Sequence, residues 1–116
     1  MSAHRTYQLL IEVVCPLRAN IGRLGRFSFP AGRYIYTGSA RRNFEARVAR
    51  HLRQEKTLRW HIDYLLAAPG VRIAGVRRYV DEECVINRAT LGVVLIDGFG
   101  ASDFRAGCGS HLKYLG

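Results

Sequence analysis

The chain has 116 residues and a mass of 13.1 kDa, which is the size of one ordinary domain. With 48% hydrophobic and 23% charged residues, it can bury a compact core, and this composition excludes wholesale disorder. Eighteen Lys and Arg against nine Asp and Glu give a net charge of +9, which favours a polyanionic partner such as nucleic acid or an anionic membrane surface.

The basic residues are nearly all arginines, since only Lys56 and Lys113 are lysines. Arginine binds phosphate through a rigid bidentate fork, so this bias is typical of nucleic-acid contacts. A GC-rich genome also enriches arginine, and composition alone does not separate the two explanations.

Several classes are disfavoured by the absence of their sequence signals. No apolar run approaches the roughly 18 residues of a membrane-spanning helix, and the first residues lack the apolar stretch of a signal peptide. We therefore expect a cytoplasmic protein with no membrane partner. The cysteines at 15, 84 and 108 are scattered and odd in number, which argues against a disulfide framework or a structural zinc site. The spacing of Cys108 and His111 is half of a metal site, but we interpret this pair as structural.

Two segments in the first third of the chain are predicted to be strands. Tyr7–Cys15 is rich in Leu, Ile and Val and ends at a proline. Phe27–Gly38 places aromatic and β-branched residues around a Pro-Ala-Gly turn. Because they are close in sequence, we expect them to form an antiparallel pair.

A helical pattern follows from Asn43, because Phe44, Val48 and Leu52 recur at four-residue spacing and form one apolar stripe. Asn43 or Ser39 could cap this helix.

The second half of the chain is predicted to add two helices and a strand. The elements are a helix at Trp60–Ala68 ended by Pro69, a strand at Val71–Val80, and a helix capped by Asp81 that runs through Leu91. The tail from Gly98 has a loop-like composition. The order strand, strand, helix, helix, strand, helix predicts one α+β domain over residues 1–116, with a small sheet flanked by helices.

Chemistry-bearing residues concentrate where the second strand meets the first helix. Arg47 and His51 stand one helical turn apart on the same face, at the edge of the apolar stripe and close to a strand that ends in tyrosine and glycine. This arrangement is typical of a phosphate site. Other faces carry Arg41, Arg42, Arg50 and Arg53, which would contact solvent or a nucleic-acid backbone, and we expect the backbone contact for the first three.

Together these residues resemble the motif of a known protein superfamily. Tyr36-Thr37-Gly38, followed by the helix with Arg47 and His51, resembles the second half of the GIY-YIG nuclease motif, and Tyr7 matches the tyrosine of the first half. The stretches FPAGRYIYTGSA, RVARHLR, RWHIDYLL and GFGASDF are similar to a small prokaryotic branch of that superfamily, whose members stand alone or are appended to endonuclease III-type repair enzymes.

The resemblance implies a fold and an activity. The fold is a three-stranded antiparallel sheet flanked by helices, and the activity is hydrolysis of phosphodiester bonds in DNA with a divalent metal, Mg²⁺ or Mn²⁺. By position in the motif, Tyr7 and Tyr36 are the tyrosines that activate or position the attacking water. Arg47 stabilises the phosphoryl charge, and His51 is the histidine found in many members. Glu83 follows the third predicted strand, where the resemblance places the metal ligand, with Glu82 as the alternative.

The sequence departs from the motif at two positions, where Arg5 replaces its first glycine and Thr37 an isoleucine. A second hypothesis is therefore a non-catalytic nucleic-acid-binding module that targets a DNA repair enzyme, and a third is a basic protein that docks on a ribosome or membrane.

Each candidate residue also has a purely structural interpretation. Tyrosines favour strands, a lone histidine at the edge of a core is often structural, and an acid such as Glu83 can simply stabilise a helix N-terminus. Trp60 and Asp63 could be a core tryptophan and its capping neighbour.

Overall fold

The computed structural model describes residues 4–53, 56–100 and 109–116. These residues form six strands, three α-helices and one 3₁₀ turn. The strands are β1 (Thr6–Val13), β2 (Leu17–Ile21), β3 (Gly25–Phe29), β4 (Gly32–Ser39), β5 (Val71–Tyr79) and β6 (Leu112–Tyr114). The helices are α1 (Phe44–Leu52), α2 (His61–Leu66) and α3 (Glu83–Ala89), and the 3₁₀ turn is Gly22–Leu24.

The main sheet is antiparallel throughout and has the order β5-β1-β4-β6. The predicted α+β class and the antiparallel pairing of the first strand with the segment that ends at Gly38 are confirmed, with the short β6 as a fourth strand. The strands β2 and β3 form a separate two-stranded hairpin between β1 and β4.

The sheet separates two layers. On one face, alternate residues of β1 such as Tyr7 and Leu9 pack with the apolar stripe of α1, including Val48, and with α2 and the inner side of the hairpin. On the other face, polar side chains of β1 contact the segment around α3, where Gln8 donates a hydrogen bond to Thr90. The last residue of β4, Ser39, forms hydrogen bonds with side chains of both layers, Arg47 of α1 and Glu83 of α3, and the candidate site is built there.

The predicted strand 27–38 is two strands that belong to different sheets, because Pro30 and the turn around it separate β3 from β4. Of the predicted helix caps, only Asn43 stands at the N-cap position of its helix. Asn43 precedes α1 with a left-handed φ of 54° and makes no capping hydrogen bond, Ser39 lies within β4, and Glu82, not Asp81, precedes α3.

The cysteines are of two kinds. Cys15 is an exposed free thiol, whereas Cys84 is disulfide-bonded, which the scattered spacing does not indicate. Cys108 lies outside the described residues.

Candidate active site

The site begins with a close approach of two strands. Tyr7 and Gly38 are opposite each other in the β1–β4 register, so they share one face of the sheet. A Cβ atom on Gly38 would lie 2.5 Å from the Tyr7 hydroxyl oxygen and 2.6 Å from Cζ. Glycine is required here because the Tyr7 ring occupies the space of the missing side chain.

Two predicted site residues of α1 and β1 are joined by a hydrogen bond. The Tyr7 hydroxyl lies 2.7 Å from His51 Nε2, and both side chains are buried. Tyr36 lies on the same face as Tyr7, and its ring meets the His51 ring edge-on at a centroid distance of 6.2 Å. The structure therefore brings Tyr7, Tyr36 and His51 into one buried aromatic cluster.

His51 is held in its neutral form. Burial, followed by the nearby charge of Lys56, lowers the pKa of His51 to about 4. Its Nδ1 atom is buried and has no hydrogen-bond partner among the described residues. A charged imidazolium would carry an N–H on both ring nitrogens, and the one at Nδ1 would have no acceptor among the described residues.

Both tyrosines are held in their protonated form. Burial is the largest effect and raises the pKa of Tyr7 and of Tyr36 well above the ordinary value. The guanidinium of Arg47 lowers both pKa values, but by less than burial raises them, while Glu83 raises both. These effects of Arg47 and Glu83 show that both charged groups act on the tyrosine cluster.

Arg47 is fixed between the tyrosine cluster and the end of β4. Its Nη1 donates a hydrogen bond of 3.2 Å to the carbonyl oxygen of Ser39, and its guanidinium lies 4.5 Å from the centroid of the Trp60 ring. The stacking and the hydrogen bond restrict a long side chain that would otherwise be mobile. Arg47 thus has a defined position next to Tyr7.

Arg50, one of the predicted DNA contacts, is instead engaged within the protein. It donates two hydrogen bonds of 3.0 Å to the carboxylate of Asp63, and its guanidinium lies 4.3 Å from the Trp60 centroid. Asp63 is fully buried and also accepts the backbone N–H groups of Arg59 and Trp60, so it caps the start of α2. Trp60 and Asp63 are therefore the structural support of the α1 arginines.

Glu83, the predicted metal ligand, lies at the start of α3 on the opposite side of the end of β4. Its Oε1 accepts a hydrogen bond from the Ser39 hydroxyl, and its Oε2 contacts Nδ1 of the fully buried His111. Ser39 thus joins the two halves of the site, because its carbonyl oxygen binds Arg47 and its hydroxyl binds Glu83.

An open cleft of about 230 Å³ lies beside Glu83. Its walls include the predicted phosphate contact Arg41, the alternative predicted ligand Glu82, and Arg5. Arg5 and Glu82 form an exposed ion pair of 3.7 Å. The second predicted contact, Arg42, is exposed nearby in sequence.

The chemistry of Glu83 fits a magnesium ion. Within residues 4–53, 56–100 and 109–116, no three His, Cys, Asp or Glu side chains converge as a metal-binding group. Magnesium does not require one, since it commonly uses one or two carboxylates and keeps several waters. Glu83 is a carboxylate that borders an open cleft and is oriented by Ser39 and His111, as ligating carboxylates usually are.

The structure therefore brings five predicted residues, Tyr7, Tyr36, Arg47, His51 and Glu83, to the end of β4 and leaves Arg50 in an internal ion pair. Sequence reasoning missed Ser39 and His111. The signal for Ser39 is its position as the last residue of β4, directly after Gly38. The capping interpretation of Trp60 and Asp63 is confirmed.

Comparison with known families gives one match. A family model described as "Domain of unknown function DUF123" matches residues 6–116. The chain belongs to the DUF123 family. The match spans the candidate site from Tyr7 to His111. Neither the search of curated proteins nor the search of solved structures found a match.

A lipid bilayer is too thick for any helix in the described parts of the chain, of which the longest has nine residues.

Proposed function

We propose that the protein is a metal-dependent endonuclease that hydrolyses phosphodiester bonds in DNA and acts in the cytoplasm. The observation that carries the proposal is the linkage at the end of β4. There a chain of interacting residues connects the aromatic cluster to an open, arginine-lined cleft, and its members in order are Tyr7, Arg47, Ser39 and Glu83.

Arg47 supplies positive charge for the phosphoryl group. A donor that is already fixed stabilises charge that develops in the transition state, because it needs no reorganisation during the reaction. The stacking on Trp60 and the hydrogen bond to Ser39 provide this fixation. Arg41, in the wall of the cleft, and the exposed Arg42 hold the DNA backbone.

Tyr7 orients the attacking water as a neutral phenol. Because burial raises its pKa, the hydroxyl is protonated at neutral pH and acts by hydrogen bonding. Neutral His51 fixes the direction of this hydroxyl from the other side, at 2.7 Å. Tyr36 packs against His51 and helps to exclude bulk water.

Glu83 holds the divalent metal, Mg²⁺ or Mn²⁺, at the cleft. When bound, such an ion polarises a phosphoryl oxygen and neutralises the charge of the leaving oxygen. Ser39 and His111 keep the Glu83 carboxylate directed along the wall of the cleft.

The test is a cleavage assay with end-labelled single-stranded, duplex and branched DNA in Mg²⁺, Mn²⁺ or EDTA. We expect metal-dependent products from the wild type and a loss of about 100-fold or more in Glu83→Gln, which keeps the shape but loses the charge. The matched control is the variant Glu82→Gln, which should cleave DNA like the wild type. The side chain that it changes is 75% exposed. Equal cleavage by Glu83→Gln and wild type would contradict the ligand assignment.

The alternative is a non-catalytic nucleic-acid-binding module that targets a DNA repair enzyme. It is favoured by the finding that both Glu83 oxygens already have protein partners. Retarded but uncut DNA with every metal would support this alternative and contradict the nuclease proposal.

A further inference from the structure

The positive charge of the chain is concentrated in one segment. Between Glu12 and Glu45 there is no acidic residue, and this stretch contains six arginines: Arg18, Arg23, Arg26, Arg33, Arg41 and Arg42. The segment therefore accounts for six of the nine net positive charges. Arg41 and Arg42 belong to the candidate site, whereas the first three belong to the β2–β3 hairpin, which the site does not use.

The hairpin has one apolar face and one polar face. Ile21 and Phe29 are buried in the core, and Leu17, Ala19 and Phe27 pack against it. The alternate side chains are all exposed: Arg18, Asn20, Arg26 and Ser28. This two-residue alternation fixes an outward face made only of arginine and small polar side chains.

The hairpin arginines have no acidic partner among the residues that the structure describes. Arg18, Arg23 and Arg26 are exposed, and none of them takes part in the ion pairs formed among the described residues. Arg18 is opposite Ser28 and Arg26 is opposite Asn20, so the two arginines are diagonal neighbours about 7–8 Å apart. Arg23 adds a third charge in the 3₁₀ turn at the tip.

The tip of the hairpin is anchored to the helix that begins at the candidate site. A Cβ atom on Gly22 would lie 3.2 Å from the ring of Tyr64 in α2. Tyr64 follows Trp60, the residue that stacks on Arg47, by four positions, or about 6 Å along the helix axis. The hairpin tip therefore contacts α2 about one helical turn from the residue that stacks on Arg47.

We propose that the outward face of the β2–β3 hairpin is a second docking surface for duplex DNA. The inference deepens the proposed function and rests on it for the choice of DNA as the partner. The major groove of B-DNA admits a two-stranded β-ribbon, and the hairpin is such a ribbon with both outer edges free of the main sheet. Its arginines bind phosphates at the groove edges, and the short Asn20 and Ser28 side chains allow close approach.

The test is fluorescence-anisotropy titration of duplex DNA in EDTA, which prevents cleavage. The variant Arg18→Gln/Arg26→Gln is compared with Arg77→Gln/Arg88→Gln, which removes the same charge from exposed positions on β5 and α3. We expect about tenfold weaker binding in the hairpin variant and a salt dependence of log Kd reduced in slope by about 2. The control should keep the wild-type slope.

Three results would overturn the inference: equal weakening of both variants, wild-type binding by the hairpin variant, or absence of duplex binding by the wild type. Tighter binding of duplex RNA would also overturn it, because the deep, narrow major groove of RNA does not admit a ribbon. Cleavage measured separately on single-stranded DNA distinguishes failure of this surface from failure of the nuclease proposal.

Discussion

The arginines of α1 and those of the β2–β3 hairpin have the same chemistry but opposite environments. Arg47 and Arg50 stack on Trp60, and Arg50 is held by the buried carboxylate of Asp63. Arg18 and Arg26 stand on an exposed ribbon with no acid in the surrounding sequence. The difference shows that the placement of acids and aromatic rings determines whether an arginine is fixed or available to a polyanion.

The helix pattern alone predicts Arg50 as a surface contact, whereas the structure holds its side chain in an ion pair with Asp63. The helical wheel places Arg50 on another face from Arg47. The two residues are nevertheless only three positions apart on α1, so both guanidinium groups reach the ring of Trp60. The partner, Asp63, comes from a different helix 13 residues later. Only the packing of α2 against α1 brings that carboxylate to Arg50.

The largest expected effect on stability comes from removing the charge of Asp63, the partner of the fixed Arg50. Asp63→Asn should lower the free energy of unfolding by about 3 kcal/mol, because it leaves the largely buried Arg50 without a charge partner. Urea denaturation followed by circular dichroism measures this loss. The hairpin variant Arg18→Gln/Arg26→Gln should change stability by less than about 0.5 kcal/mol. Similar losses in both would contradict the distinction between fixed and available arginines.

A second prediction concerns the pH dependence of stability that the buried His51 causes. The folded pKa of about 4 lies below the ordinary value of 6.5, so between these values the unfolded chain binds more protons. Stability should therefore fall by up to about 3 kcal/mol as the pH is lowered from 6.5 to 4. His51→Gln should lose most of this dependence, and His4→Gln, at an exposed position, should keep it. Melting temperatures across that range measure the effect, and an unchanged profile in His51→Gln would refute it.

A third prediction, with a stability loss no larger than those above, tests the fit of Tyr7 over Gly38. Gly38→Ala should lower the free energy of unfolding by about 1–3 kcal/mol, because the new Cβ must displace the Tyr7 ring. The loss of cleavage should be much larger than the loss of stability, since Tyr7 would no longer meet His51. The matched control is Gly75→Ala in β5, where the new Cβ would meet only the flexible end of Leu10 at 3.3 Å. Full activity in Gly38→Ala would contradict the role of this contact.

Much of the fold follows from local patterns in the sequence. The apolar run in β1 and the four-residue spacing in α1 predict both elements, because the run is buried as a strand and the spacing buries one face of a helix. The hairpin strand Leu17–Ile21 and the strand Leu112–Tyr114 were not predicted. Both are short, and their pairing partners supply the hydrogen bonds that their own composition does not indicate.

The candidate site is predicted less completely than the fold. The aromatic and basic residues near Gly38 are recognisable because most of them lie in one continuous segment of the sequence. Only Tyr7 comes from another strand, the neighbouring β1. His111 reaches Glu83 from the far end of the chain, and Ser39 acts through both its carbonyl and its hydroxyl. Contacts of this kind depend on strand register and on the packing of α3, which no local spacing encodes.

The central claim is that the end of β4 carries out phosphodiester chemistry with Arg47 as the fixed phosphate ligand. Its most direct test is the single-turnover cleavage rate of Arg47→Ala beside Arg77→Ala, which removes one exposed arginine from β5. Melting temperatures confirm that both variants fold. We predict a rate loss of about 100- to 1,000-fold for Arg47→Ala, as for removal of one preorganised charge donor, and a rate within twofold of wild type for Arg77→Ala. Equal rates for Arg47→Ala and wild type would contradict the account.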